Sequence, residues 1–96
     1  EESDILRVYN EIFSEDGSEI YLKSTEMYFK EFPVNVPYAD LIAVAQNREE
    51  VCLGIKLHEH EADLDKNYGV RLIPKKNTVY ELTQNDHLVV LAEDEY

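Results

Sequence analysis

The sequence predicts an α+β domain, and three observations carry that prediction. Apolar residues recur at spacings of three and four in two stretches, the mark of amphipathic helix. Several other apolar runs are only strand-length, and Gly, Pro and Asn separate the segments. The expected order is a connecting helix, a strand-helix-strand unit and an antiparallel β-meander, with helices mainly on one sheet face. With 96 residues, the chain has room for one such unit and not for two independent cores.

Ser3 is a good helix cap. Ile5, Leu6, Tyr9, Ile12 and Phe13 then form one apolar stripe, and Gly17 suits the left-handed stop. A helix is expected over 3–14. In "SEIYLKS", Ile20 and Leu22 alternate with Glu19, Tyr21 and Lys23, so a half-buried strand is expected with the aliphatic pair inward. "TEMYFKEFPVNVP" has no clean period and contains Pro33 and Pro37, which predicts irregular chain over the core. "PYADLIAVAQN" places Pro37 in a first helical turn, Leu41, Ile42 and Ala45 on one side, and Asn47 at the end.

"EVCLGIKL" is a continuous apolar run with Gly54 inside it, which suits a central strand with a close neighbour. Residues 18–57 thus predict a right-handed crossover with parallel pairing. "HEHEADLDKNYG" is polar and acidic, as surface loops are. "VRLIP", "TVYEL" and "HLVVLAE", separated by "KKN" and "TQND", predict the meander.

Charge limits the partners. Against 9 Lys and Arg stand 21 Asp and Glu, a net charge of −12, so nucleic acid and anionic lipid are disfavoured. At 44% hydrophobic and 31% charged, the composition supports a folded core. No apolar run approaches the ~20 residues of a membrane helix, and no leader pattern opens the sequence, so a soluble unit is expected. Its start on Glu1-Glu2 rather than Met suggests a processed chain or a piece of a longer one. The single cysteine, Cys52, has no disulfide partner within the chain; set in an apolar run, it reads as a small buried hydrophobe in a reducing compartment.

Five segments, in order, are similar to a known pattern: "EIYLK" at 19–23, "YADLIAVA" at 38–45, "CLGIKL" at 52–57, "RLIPKKNTVYEL" at 71–82 and "NDHLVVLAEDE" at 85–95. Together they resemble the C-terminal lobe of regulator-of-potassium-conductance (RCK, TrkA-C-like) domains, and more closely the regulatory region of the CASTOR and POLLUX ion channels. Asn85 stands where that pattern prefers Gly, and Asn tolerates left-handed backbone. The resemblance implies that residues 1–17 form a connecting helix from an upstream nucleotide-binding-like lobe, and that residues 18–96 form the regulatory domain. It also implies a cytoplasmic domain of a membrane protein, assembling as a homodimer or larger gating ring beneath a cation pore expected to be potassium-related.

Candidate sites are few. His58 and His60 would share a face if the strand ran on to residue 60, and Asp63 lies close by, a set that could hold a transition metal. That set would make the chain a metal-binding module or metalloenzyme fragment; the alternative is a solvated loop. Glu49 and Glu50 with the tail 92–96 could gather oxygen ligands for a divalent cation, although no dedicated calcium-loop pattern is present, and the alternative, which the sequence favours, is a solvated acidic tail. His87 beside Asp86 offers a pH-sensitive pair or a plain turn. Tyr21, Phe29 and Phe32 fit a subunit contact or ordinary core, the former also compatible with a purely structural oligomerisation domain. No Gly-x-Ser-x-Gly elbow occurs and no nucleophile accompanies the histidines, so no catalytic residue is assigned and a non-enzyme is expected.

Overall fold

The structure is a computed structural model that describes Arg7 and residues 17–96. The helix expected over 3–14, and with it the boundary at 17, lies outside the described residues apart from Arg7. The described elements are β1 (Glu19–Ser24), β2 (Val34–Pro37), α1 (Tyr38–Gln46), β3 (Val51–Lys56), β4 (Val70–Leu72), β5 (Val79–Leu82) and β6 (His87–Ala92). They form a four-stranded sheet in the order β1-β6-β3-β4, a two-stranded ribbon of β2 and β5, and one α-helix. The α+β class holds at this level, and every strand pair is antiparallel.

Two expected pairings are replaced. β1 and β3 do not pair in parallel; β6 lies between them and pairs antiparallel with both. The reason is in β6 itself, where Leu88, Val89 and Val90 are all fully buried, so the strand is apolar on both faces and takes the centre. The last third is not a meander either. β4 borders β3, β6 fills the middle, and β5 leaves the sheet to pair with β2, Val34 opposite Leu82 and Pro37 opposite Val79.

β2 itself was expected to be irregular. Pro37 offers no N–H to a ladder, but it sits at the last position of a strand paired on one side only, where a donor can be spared. The chain enters β2 through a cis Phe32–Pro33 peptide.

α1 follows its predicted limits. Tyr38, Leu41 and Ala45 are buried one turn apart, and Ile42 packs at their margin. Pro37 has no capping side chain, so the first amides are satisfied from the ribbon side: Tyr38 N–H donates to Thr78 O and Ala39 N–H to Lys76 O. At the other end, Glu49 N–H bonds Gln46 O and Glu50 N–H bonds Ala45 O, the paired bonds of a Schellman closure, with Glu49 left-handed at φ 62°. This closure delivers Glu50 to the sheet.

α1, β2 and β5 cover one face of the sheet. Val36, Tyr38, Leu41, Ala45 and Leu82 pack there with Cys52, Ile55, Leu88, Val90 and Ala92. In β1 the alternation has the expected period but the opposite sign. Lys23 is 2% exposed on this inner side, while Leu22 is 51% exposed on the other. An ammonium is tolerated inside because a buried carboxylate meets it.

Gly54 is the close-approach position expected of it. A Cβ there would run into the backbone carbonyl of Arg71 on β4, atoms that cannot swing aside as a side chain would. Gly54→Ala is expected to cost about 2–3 kcal/mol, the upper range for overpacking, and to separate β4 from β3. Urea denaturation, with hydrogen exchange at Ile73, whose amide bonds Leu53 O, checks both effects.

Candidate functional site

The histidine segment does not continue the strand. β3 ends at Lys56, and His58–His60 form a 3-10 turn, so the two imidazoles are not arranged at period two. His58 Nδ1 lies 3.1 Å from Glu61 Oε2, and His60 Nε2 lies 3.4 Å from Glu59 Oε1, two separate surface pairs. Asp63 turns to its own chain, accepting from Asp65 N–H at 3.0 Å as the cap of the next turn. Among the described residues no three His, Cys, Asp or Glu side chains come together as a metal-holding group.

The second acidic set is more nearly assembled. Glu49, Glu50, Glu93 and Asp94 line one open cavity of 240 Å³ with Arg48 and Tyr96, so the helix-β3 turn and the tail meet as the sequence suggested. Glu50, however, is already occupied. Its Oε2 accepts from Lys23 Nζ at 2.5 Å and from Arg48 Nε at 3.4 Å, and its Oε1 accepts from Tyr28 Oη at 2.6 Å. Lys23 Nζ also donates to the carbonyl of Tyr96 at 3.0 Å, and the Arg48 guanidinium stacks 5.3 Å over the Tyr28 ring. β1, the segment after it and the helix exit therefore converge on the Glu50 carboxylate, and the tail meets the Lys23 ammonium.

Electrostatics explain why this arrangement holds its charge. Burial alone would raise the Glu50 pKa; the hydrogen bonds from Lys23 and Tyr28 and the nearby positive charges outweigh it, and the carboxyl titrates below its ordinary value. Tyr28 is pushed well above the usual phenol, first by burial and then by its bond to Glu50, so it stays a neutral donor. Chemically the cluster is a clamp: both Glu50 oxygens accept hydrogen bonds from Lys23, Tyr28 and Arg48. Burial likewise raises the Cys52 thiol, which donates weakly to Gly54 O at 3.5 Å.

Asp86 anchors the opposite end of β6. Its Oδ1 accepts from His58 N–H at 2.8 Å, and its Oδ2 from Thr83 N–H at 2.7 Å and Thr83 Oγ1 at 3.1 Å. Its carbonyl takes Thr25 N–H at 3.1 Å, and Thr25 Oγ1 donates to Thr83 O at 2.6 Å. The side chain thus serves backbone donors and the turn hydroxyl; no bond to the His87 ring is present. Asn85 is not left-handed, because this Asp-closed turn needs no positive φ where the resemblance pattern has Gly. A 370 Å³ cavity opens beside it, bounded by Leu57, His58, Val79, Tyr80 and Thr83.

The aromatic residues divide in the same way. Tyr21 and Phe29 pack against the core, Tyr21 Oη also reaching Glu19 at 3.0 Å, and Phe32 is half-buried. Lys23, Tyr28 and Glu50 were not foreseen as a group; a charged residue on a strand and another just before a strand were the only signals. With the geometry in view, comparison with known protein families and with curated proteins finds no match to this chain.

Two outcomes are expected. Lys23→Ala should cost about 3 kcal/mol in urea denaturation, since Glu50 loses its short buried partner and keeps only the longer contact to Arg48, while Lys23→Met with Glu50→Leu should recover much of the loss. Because the Glu50 pKa is lower folded than unfolded, its contribution is complete above about pH 4.3 and is lost as pH falls through the folded value, so Glu50→Gln should flatten the acid limb of stability against pH. At the other anchor, Asp86→Ala should cost about 2–4 kcal/mol for two orphaned amides and remove hydrogen-exchange protection at His58 and Thr83, with Asp86→Asn intermediate.

Proposed function

We propose that this chain is a regulatory lobe of a cation channel or transporter assembly, acting on the cytosolic side of a membrane and doing no chemistry of its own. One observation carries the reading: the five segments that resemble the RCK and CASTOR/POLLUX lobes correspond, in order, to β1, α1, β3, the β4–β5 stretch and β6. Those same segments supply the strands of the sheet, its one described helix and the ribbon strand β5, so the likeness spans the framework rather than a loop. Among the described residues no helix is long and apolar enough to cross a membrane, so the pore would belong to other parts of the assembly.

In this role the lobe dimerises, and a ligand shifts the pore by binding one arrangement of the dimer more tightly than another. An upstream nucleotide-binding-like lobe and the pore are its natural partners. A divalent cation is the first ligand to test, since the tail and Glu49 surround a cavity whose carboxylates other than Glu50 remain exposed. The net charge of −12 disfavours nucleic acid as a partner.

Light scattering over a concentration series, repeated with K⁺, Mg²⁺, Ca²⁺, Zn²⁺ and ATP, tests the proposal. The expected result is a dimer whose dissociation constant changes at least about fivefold with one of these ligands, the lower bound of ordinary allosteric coupling. A dimer indifferent to all of them would leave a structural oligomerisation domain, and a monomer at every concentration would remove the regulatory reading altogether.

A further inference from the structure

The two outer edges of the β2–β5 ribbon differ in what they offer a further strand. Tyr38 N–H donates to Thr78 O, so that pair is of the hydrogen-bonded kind. Antiparallel ladders alternate, and the register runs on without a shift, so Val36 with Tyr80 and Val34 with Leu82 are bonded pairs as well. Val79 and Glu81 therefore direct their N–H and C=O groups away from β2, and no described residue outside the ribbon bonds them. The edge of β2 is blunted, since Pro33 precedes the strand and Pro37, at its end, brings no donor. β5 contains no proline and a single charge, Glu81. The 370 Å³ cavity lies against this open edge, with Val79, Tyr80 and Glu81 in one wall and Leu57, His58 and Glu59 in another. Tyr80 and Leu57 pack at the margin of the core, while Val79 is 63% exposed and Glu81 is exposed with it, the alternation of a strand with one face in water.

We propose that the open edge of β5 binds an extended segment of a partner protein in which basic and apolar residues alternate. The added strand takes the backbone groups of Val79 and Glu81 as its ladder, and its inward side chains enter the cavity beside Tyr80 and Leu57. Its outward side chains come to lie next to Glu81, a cross-strand position that favours Lys or Arg. Charge at the cavity has the same sign throughout: the Glu59 side chain is 74% exposed, and among the described residues no Lys or Arg forms part of the lining. Asp86, in the same wall, is already bonded to the amides of His58 and Thr83, so the cavity keeps its shape without an occupant and little ordering is needed when one enters. A second copy of the chain fits this edge poorly, because each copy carries a net charge of −12. The inference stands apart from the regulatory reading, since it concerns only which strand completes the ribbon.

An NMR titration of the full-length chain at neutral pH, with a capped heptapeptide of alternating lysine and valine, tests the proposal. The Val79 and Glu81 amides are expected to shift and to gain hydrogen-exchange protection as the peptide is added. The matching glutamate–valine peptide should bind at least about fivefold more weakly. A lysine–valine peptide N-methylated along the edge that meets β5 should lose at least about fivefold as well, since its ladder donors are gone. Glu59→Lys with Glu81→Lys, both at exposed positions, should reverse the preference between the two charged peptides, with unmoved Leu41 and Leu82 methyl resonances as the folding control. Absence of binding, or equal binding of the two charged peptides, would overturn the proposal. So would binding that leaves the Val79 and Glu81 amides unmoved or survives N-methylation undiminished, because either result reduces the site to charge attraction alone. Protection of the same amides that rises with protein concentration, without peptide, would give the edge to a second copy and overturn it too.

Discussion

A buried ammonium facing a buried carboxylate is the constraint around which this domain is arranged. Taking Lys23 and Glu50 out of water costs several kcal/mol for each ion, and only close geometry with every remaining bond satisfied offsets it. The fold meets that condition from four directions. β1 brings the ammonium, the Schellman closure of α1 brings the carboxylate, Tyr28 fills the second oxygen, and the carbonyl of Tyr96 takes the remaining ammonium contact. Such a pair adds little net stability compared with an apolar replacement, but it rejects arrangements in which one partner is missing. It therefore selects how β1 and the exit of α1 are set relative to one another across β6.

The other end of the sheet is specified by a carboxyl side chain that meets neutral donors. Asp86 gathers the start of β6, the turn before it and the turn after β3, all through backbone amides and a threonine hydroxyl. Both anchors flank the same strand, so β6 is fixed in register at each end while its apolar side chains fill both faces. Between them, Gly54 lets β4 come close enough to complete the sheet. Registry in this domain is thus set by a few polar contacts at the strand ends, and cohesion by aliphatic packing between them.

The sequence was legible where periodicity is local and opaque where pairing is tertiary. α1 was clear because Leu41 and Ala45 fall one turn apart with Pro37 and Asn47 as boundaries, and β3 and β6 were clear as unbroken apolar runs of strand length. β2 was hidden by prolines that a one-sided ribbon tolerates. The direction of β1 was misjudged because Lys23 is ordinarily the outward residue, and nothing in the neighbouring sequence announces that Glu50, 27 residues later, will meet it. The same holds for the site: in a chain with 21 carboxylates, the one that matters looks like all the others. The histidine pair drew attention by its spacing, yet that spacing carried meaning only if the strand continued, and Leu57 begins the turn instead. Strand neighbours were beyond reach for a general reason, because β6 and β3 are equally apolar and only assembly decides which one stands in the middle.

The central position of β6 has a further consequence for how the domain comes into being. β1 and β3 each find their ladder partner in a strand that is made after both of them, and β1 must wait more than sixty residues for it. During synthesis the earlier strands leave the ribosome with unpaired edges, and the long-range closure that rescues them is the slow kind, dominated by loop entropy. A nascent chain halted before Leu88 could pair β3 with β4 and β2 with β5, but it would leave β1 and the other edge of β3 without a partner, which is the condition under which chaperones bind and aggregates begin.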